Sequence, residues 1–179
     1  VKWFLAAILY SKPIREDSAT RTYQCFEKHG VVTARRIVEA GWDRLVSILD
    51  EGGYTRYDFS TADKLLEVFD NLEKRYRGDL NKLYEASRNG VEVEANLKKL
   101  GKGIGDTTVS IFLRDMRHVW KKTDPRPTPL VTMALKKLSI EDLKRYAKKH
   151  RIDAVRLETA LVRYSKDFLK KHKRLKIVP

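Results

Sequence analysis

The stretch Leu97-Lys-Lys-Leu100-Gly-Lys-Gly103-Ile104-Gly105-Asp-Thr-Thr-Val109-Ser-Ile-Phe112-Leu113 constrains this chain more than any other. An amphipathic segment stops at a Gly-x-Gly-Ile-Gly corner, and a strongly apolar helical pattern begins immediately after it. Glycine adopts positive φ without steric cost and carries no side chain to hold a partner's backbone away. Successive amides at the start of the second helix therefore form a concave set of donors, with the positive end of the helix dipole behind them. Such a corner suits a phosphate.

The rest of the pattern is helical too. Apolar residues recur at i, i+3, i+4 and i+7 over most of the chain, and no sustained period-two alternation interrupts them. The spacing predicts helices over Val1–Tyr10, Ser18–His29, Thr33–Ala40, Trp42–Leu49, Ser60–Tyr76 and Asp79–Ser87. The hairpin follows at about 91–120, its second helix running from Asp106 to about Trp120. Three more helices are expected over Leu130–Leu138, Ile140–His150 and Ala154 to about Lys173. Ser60-Thr-Ala-Asp63 and Ser139-Ile-Glu-Asp142 have capping-box spacing. Gly30, Gly41, Gly52-Gly53 and Gly78 read as stops. In the second hairpin helix Val109, Phe112, Leu113, Met116 and Trp120 share one stripe, which reads as core. The fold class expected is all-α with short connections.

Charge points to the partner. The 179 residues carry 38 Lys+Arg against 24 Asp+Glu, a formal net charge of +14. A surplus of that size favours a polyanion, because Lys and Arg that neutralise phosphates release condensed counterions. High charge alone would also fit a very soluble or heat-adapted surface; charge together with the hairpin favours nucleic acid. The basic run Lys166–Lys176 adds seven basic residues, counting His172, on a C-terminal helix expected over about 154–174. Such a run reads either as a solvated helix face or as a further nucleic-acid contact.

Other classes lose support. The single cysteine, Cys25, excludes a disulfide framework and a four-cysteine iron–sulfur cluster within this chain. Four scattered histidines give no metal-ligand spacing. The apolar opening Val1–Tyr10 is too short to span a bilayer and lacks a small-residue cleavage site, so a core helix is expected rather than a signal peptide. The chain opens on Val rather than Met, so residues upstream of it are expected. No membrane and no protein partner is called for, and a reduced cytoplasmic setting is expected, at the nucleoid in a prokaryote.

In that order, these features resemble the endonuclease III-like, helix-hairpin-helix DNA glycosylase superfamily. The resemblance runs from Phe4 to about Leu138. Phe4-Leu-Ala-Ala-Ile-Leu9 is similar to the family's early core helix, and Lys12 falls about where those enzymes place a residue that wedges into the DNA stack. Gly52-Gly-Tyr54-Thr-Arg56 with Lys64-Leu-Leu resembles the segment before the hairpin. Leu97-x-x-Leu100 with Gly103-Ile104-Gly105 matches the hairpin, and Thr123-Asp124-Pro125-Arg-Pro127 stands for the Gly/Pro-rich loop.

The resemblance implies one domain over 1–179 in two helical lobes. It also implies double-stranded DNA, damaged or abasic, as partner, and base-excision activity on a flipped nucleotide. Lys102 and the amides of Gly103, Ile104 and Gly105 are expected to hold a backbone phosphate, at hairpin carbonyls able to take a monovalent cation. Lys12, Tyr54 and Arg56 are candidate wedge or cleft residues. Two positions depart from the family pattern. Bifunctional members carry an imine-forming Lys where this chain has Thr107, and threonine cannot form an imine. Direct alignment puts Thr128 or a neighbouring proline at the family's catalytic Asp, and the nearest carboxylate is Asp124, about four residues earlier. Lys121 and Lys122 could stand in for the missing Lys only after a large loop displacement, and Asp106 reads as a helix cap. Two readings stay open: a glycosylase or abasic-site enzyme using a displaced carboxylate, or a catalytically inactive protein that binds damaged or structured DNA.

Overall fold

A computed structural model describes residues 1–169; of Leu169 only the backbone is described. Among the described residues it holds ten α-helices, a terminal π-helical turn and no strand, so the chain is all-α. It divides into two compact units, Val1–Asp124 and the part from Pro125 onward.

The first unit contains α1 (Lys2–Tyr10), α2 (Glu16–Lys28), α3 (Ala34–Glu51), α4 (Asp58–Tyr76), α5 (Leu80–Ala86), α6 (Gly90–Lys98) and α7 (Asp106–Met116). Its centre is α1, whose residues Phe4 to Leu9 are all buried. An apolar helix without a polar face must be enclosed on every side. α2 and α7 flank it, while α3 packs along α4. Phe4 meets Phe69 of α4 and Phe112 of α7 edge-on, with ring centroids 6.2 and 5.1 Å away. Trp3 Nε1 donates to the Phe112 carbonyl at 3.2 Å, tying α1 to the second hairpin helix.

α7 ends at Met116, four residues before the boundary expected at Trp120. The chain turns there, with the Val119 and Trp120 amides both donating to the Met116 carbonyl. Trp120 nevertheless stays in the core, stacked on Tyr84 at 4.9 Å with its indole N–H given to Asn81. Gly41 (φ 70°, ψ 174°) breaks α3 where the sequence placed a stop; a β-carbon is disfavoured at that φ.

Both expected capping boxes are unused. α4 starts at Asp58; the exposed Ser60 donates its hydroxyl to the Tyr57 carbonyl at 3.2 Å, and Asp63 accepts instead from Trp42 Nε1 at 2.8 Å. Ser139 takes a left-handed conformation (φ 54°) after α8, and Asp142 caps α9 in its place. α6 is capped by Asn89, whose side chain accepts from the Glu92 amide at 3.0 Å. Asn89→Ala should cost about 1 kcal/mol of stability, measured by urea denaturation.

The second unit holds α8 (Pro129–Lys137), α9 (Leu143–Lys149), α10 (Ala154–Tyr164) and the π-helical turn Ser165–Leu169. Its small core is built from Val131, Ala134, Leu143, Ala147, Leu157 and Leu161. The expected continuation of the last helix toward Lys173, and most of its basic run, lies outside the described residues. Among the described residues no helix is long and apolar enough to cross a membrane.

Candidate nucleic-acid interface

The hairpin is α6, a turn over 99–105, and α7. Its turn is seated on α4. Gly101 packs so closely on Val68 that an added Cβ would lie 2.6 Å from a valine methyl. One turn further along α4, Asn71 Nδ2 donates to the Leu100 carbonyl at 2.8 Å, and the Arg75 guanidinium donates to the Lys99 carbonyl at 3.3 Å. Glu67 accepts the Lys102 amide at 3.0 Å. Residues 67, 68, 71 and 75 form one face of α4, so a single stripe fixes the corner.

That seating narrows the set of donors. The Lys102 amide is committed to Glu67, and the Ile104 amide donates to the Gly101 carbonyl at 3.2 Å. The expectation that the Ile104 amide holds a phosphate is therefore corrected: it closes the turn, and its side chain is buried at 4% exposure. The amides of Gly103 and Gly105 have no hydrogen-bond acceptor among the described residues. Gly103 has φ +87°, a conformation that favours glycine. Gly105 is the N-cap of α7, makes no side-chain cap bond, and has nothing within 4 Å of where a Cβ would stand. The open donors thus lie at Gly103, Gly105 and the first turn of α7, backed by an eleven-residue helix dipole.

Asp106, the first residue of α7, bonds Lys98 Nζ at 2.5 Å and so links the two hairpin helices. It does not act as the N-cap. The lysine's hydrogen bond holds its carboxyl below the usual aspartate value. Thr107 follows on the exposed rim of the same turn. Arg75 and Asn71 donate to the carbonyls of residues 99 and 100, so each of those two oxygens already accepts one hydrogen bond.

Two of the expected wedge residues stay at the surface and one does not. Lys12, in the turn after α1, places Nζ 5.4 Å from the centroid of the Tyr57 ring. Arg56 is exposed and its guanidinium lies 5.7 Å from the same centroid. Both are within cation–π range. Tyr54 is corrected from a cleft residue to a core residue. It is 1% exposed, and its hydroxyl donates to the Leu9 carbonyl at 2.7 Å, closing the end of α1. A ring held this way cannot enter a DNA stack.

Sequence reading placed Lys64 in the segment before the hairpin but gave it no role. It lies on the buried face of α4 with Ala62, Leu65 and Val68, and is 8% exposed. Its side chain runs under the hairpin corner; a Cβ on Gly103 would stand 2.8 Å from its Cε and 3.1 Å from its Nζ. Among the described residues no carboxylate pairs with it. Desolvation, and then the neighbouring Lys12 ammonium, push its pKa down to about 8. One turn earlier, Thr61 Oγ1 is buried without a hydrogen-bond partner. The available signal was a lysine at a core-facing position of an otherwise apolar helix face.

The candidate catalytic positions have local partners of their own. Asp124 follows the core-packed Trp120 and approaches the Arg117 guanidinium at 3.8 Å, with its side chain 60% exposed. Thr128, expected near the family's Asp position, is the N-cap of α8 and accepts from the Val131 amide. Its hydroxyl is thereby occupied with a helix start. Among the described residues no group of three or more His, Cys, Asp or Glu is placed to hold a metal.

Compared with protein-family models, curated proteins and solved structures, the chain gives no match. The functional reading therefore stands on the hairpin and what surrounds it.

Proposed function

We propose that this protein is a base-excision type DNA repair protein. In this reading it acts on damaged bases or abasic sites in duplex DNA, and its fold is that of the endonuclease III-like, two-lobed helical family. The observation that carries the reading is the open corner at Gly103 and Gly105. Its free amides head α7, and Lys102, Lys12 and Lys64 supply positive charge around it. One backbone phosphate fits such a corner, and holding it positions the duplex without reading sequence. Selectivity then has to come from an extruded nucleotide, because a stacked base is out of reach. Lys12 and Arg56, beside the Tyr57 ring, are the residues to fill the gap that an extruded nucleotide leaves.

Asp124 is the carboxylate assigned to stabilise the cationic sugar or to activate a nucleophile. The exposed Thr107 is assigned to backbone contact rather than chemistry.

The test is incubation with duplexes carrying uracil, 8-oxoguanine, an alkylated base or an abasic site. Base release or strand nicking is expected on at least one of them, with product lost and binding kept in Asp124→Asn. Tight binding with no product on any lesion would favour a DNA-binding protein without catalysis. No preference for any of these duplexes, and no product, would overturn the reading.

A further inference from the structure

Charge is divided unevenly between the two units. Pro125–Pro179 holds sixteen of the 38 Lys+Arg but only five of the 24 Asp+Glu, so it carries +11 of the net +14. In the first unit several exposed cations are matched by neighbours, as Lys28 is by Glu51 at 2.8 Å, Arg35 by Glu39 at 2.7 Å and Arg88 by Glu92 at 3.1 Å. In the second unit the side chains of Lys136, Lys137, Arg145, Lys148, Lys149 and Arg151 are all exposed and make no ion pair among the described residues. Most of the acids that could match them are committed to the fold. Asp142 and Asp153 cap α9 and α10, and Glu158 is 1% exposed.

α9 shows the arrangement most clearly. Leu143 and Ala147 are its buried residues, and at 3.6 residues per turn Arg145, Lys148 and Lys149 fall on the opposite side. Arg145 with Lys149, and Lys144 with Lys148, are like charges four residues apart, a spacing at which they destabilise a helix. The helix dipole accounts for a cation in the last turn of α8 or α9. It does not account for two in each, with Arg145 and Arg151 added and no acid between them. A surface built only for solubility would intersperse both signs, as the first unit does.

We infer that the end of α8 and the outer face of α9 form a second nucleic-acid contact, which holds the phosphate backbone of a duplex whatever its base sequence or damage. The inference rests on the DNA-repair reading above for its partner, and it adds a division of labour. The corner at Gly103 and Gly105 seats one phosphate and sets the register. The second unit supplies the lesion-independent part of the affinity through counterion release. Lysines on an exposed helix face suit that task, since point charges on flexible stems follow a strand without demanding one geometry. A protein that must find rare damage needs such a hold on intact DNA, along which it can slide between lesions.

The experiment titrates the full chain with two fluorescent duplexes of one sequence, intact and bearing one abasic site, over a series of salt concentrations. A variant combining Lys136→Gln, Lys137→Gln, Lys148→Gln and Lys149→Gln is compared with a control of equal net charge. The control combines Lys2→Gln, Lys28→Gln, Lys74→Gln and Lys82→Gln, all exposed lysines of the first unit. Thermal melts check that both variants fold. At about 100 mM salt the second-unit variant should bind both duplexes roughly tenfold or more weakly, by the same factor for each. Its slope of log affinity against log salt should flatten by about 0.9 for each lysine that meets a phosphate. The control should lose less than about threefold and keep its slope. If the four changes together unfold the protein, the pairs at Lys136 and Lys137 and at Lys148 and Lys149 are tested separately, each expected to give about half of the slope change. An unchanged slope in the second-unit variants, an equal loss in the control, or a loss confined to the abasic duplex would each overturn the inference. In those three cases preferential binding of the abasic duplex, weakened in Gly105→Val, would leave the repair reading standing. No binding of either duplex would remove both.

Discussion

Gly105→Val should bind duplex DNA roughly ten- to hundredfold more weakly than wild type. Losing one charge-assisted phosphate contact is worth about 1–3 kcal/mol. The position is favourable for such a test because the substitution has little else to disturb. Gly105 has an ordinary negative φ of −102°, and a Cβ there meets nothing within 4 Å. The folding cost should be about 0.5–1 kcal/mol, because glycine is favoured over valine at an N-cap even without a side-chain cap bond. Bulk is added only where a phosphate oxygen would approach. Gly103→Val is the less clean variant, since φ +87° is strained for valine and its Cβ would press on the Lys64 side chain. The measurement is a fluorescence anisotropy titration at fixed salt, with a thermal melt beside it. Unchanged affinity in a folded Gly105→Val protein would mean the corner does not hold the backbone.

Lys64→Met should make the protein more stable, by about 1–3 kcal/mol at pH 7. That is the usual gain when a buried, poorly compensated charge gives way to an apolar side chain of similar volume. The sign follows from the proton balance. The folded-state pKa of Lys64 is lowered to about 8 from 10.5, so below pH 8 the lysine is protonated in both states and the folded state carries the cost of burying it. Between pH 8 and 10.5 the folded lysine loses its proton while the unfolded one keeps it. The wild type therefore gains stability with rising pH across that window. The methionine variant has no such term, and its advantage should shrink from pH 7 to pH 10. Urea denaturation of both proteins at the two pH values measures the difference. A destabilised Lys64→Met protein, or an advantage independent of pH, would mean that the lysine is not a buried charge carried at the expense of stability. Residues kept at a cost to the fold are expected where function needs them.

Much of the fold was legible because its signals are local. Gly41 breaks α3 where the sequence puts a stop, and Val109, Phe112 and Leu113 are core as the period implies, with Met116 half-buried at the helix end and Trp120 in the core although the helix has stopped before it. What failed depended on partners distant in sequence. Tyr54 sits in a glycine-rich stretch that reads as surface, yet a carbonyl at Leu9 takes its hydroxyl and the core encloses its ring. Ser60-Thr-Ala-Asp63 has the spacing of a capping box, but Asp63 is drawn away by the Trp42 indole.

The site shows the same division. The glycines that make the corner open are visible in the sequence itself. Glu67 on the Lys102 amide and Lys64 beneath Gly103 are not, because α4 and the hairpin turn meet only after the chain has folded.

The most direct measurement of the central claim is an NMR titration of the protein's backbone amides with a short duplex bearing one abasic site. The amide resonances of Gly103, Gly105, Asp106 and Thr107 should shift together and saturate at one duplex per chain, while those of Lys102 and Ile104, already bonded within the protein, move less. Saturable binding that shifts amides elsewhere and leaves Gly103 and Gly105 unmoved would contradict the assignment of this corner as the phosphate seat.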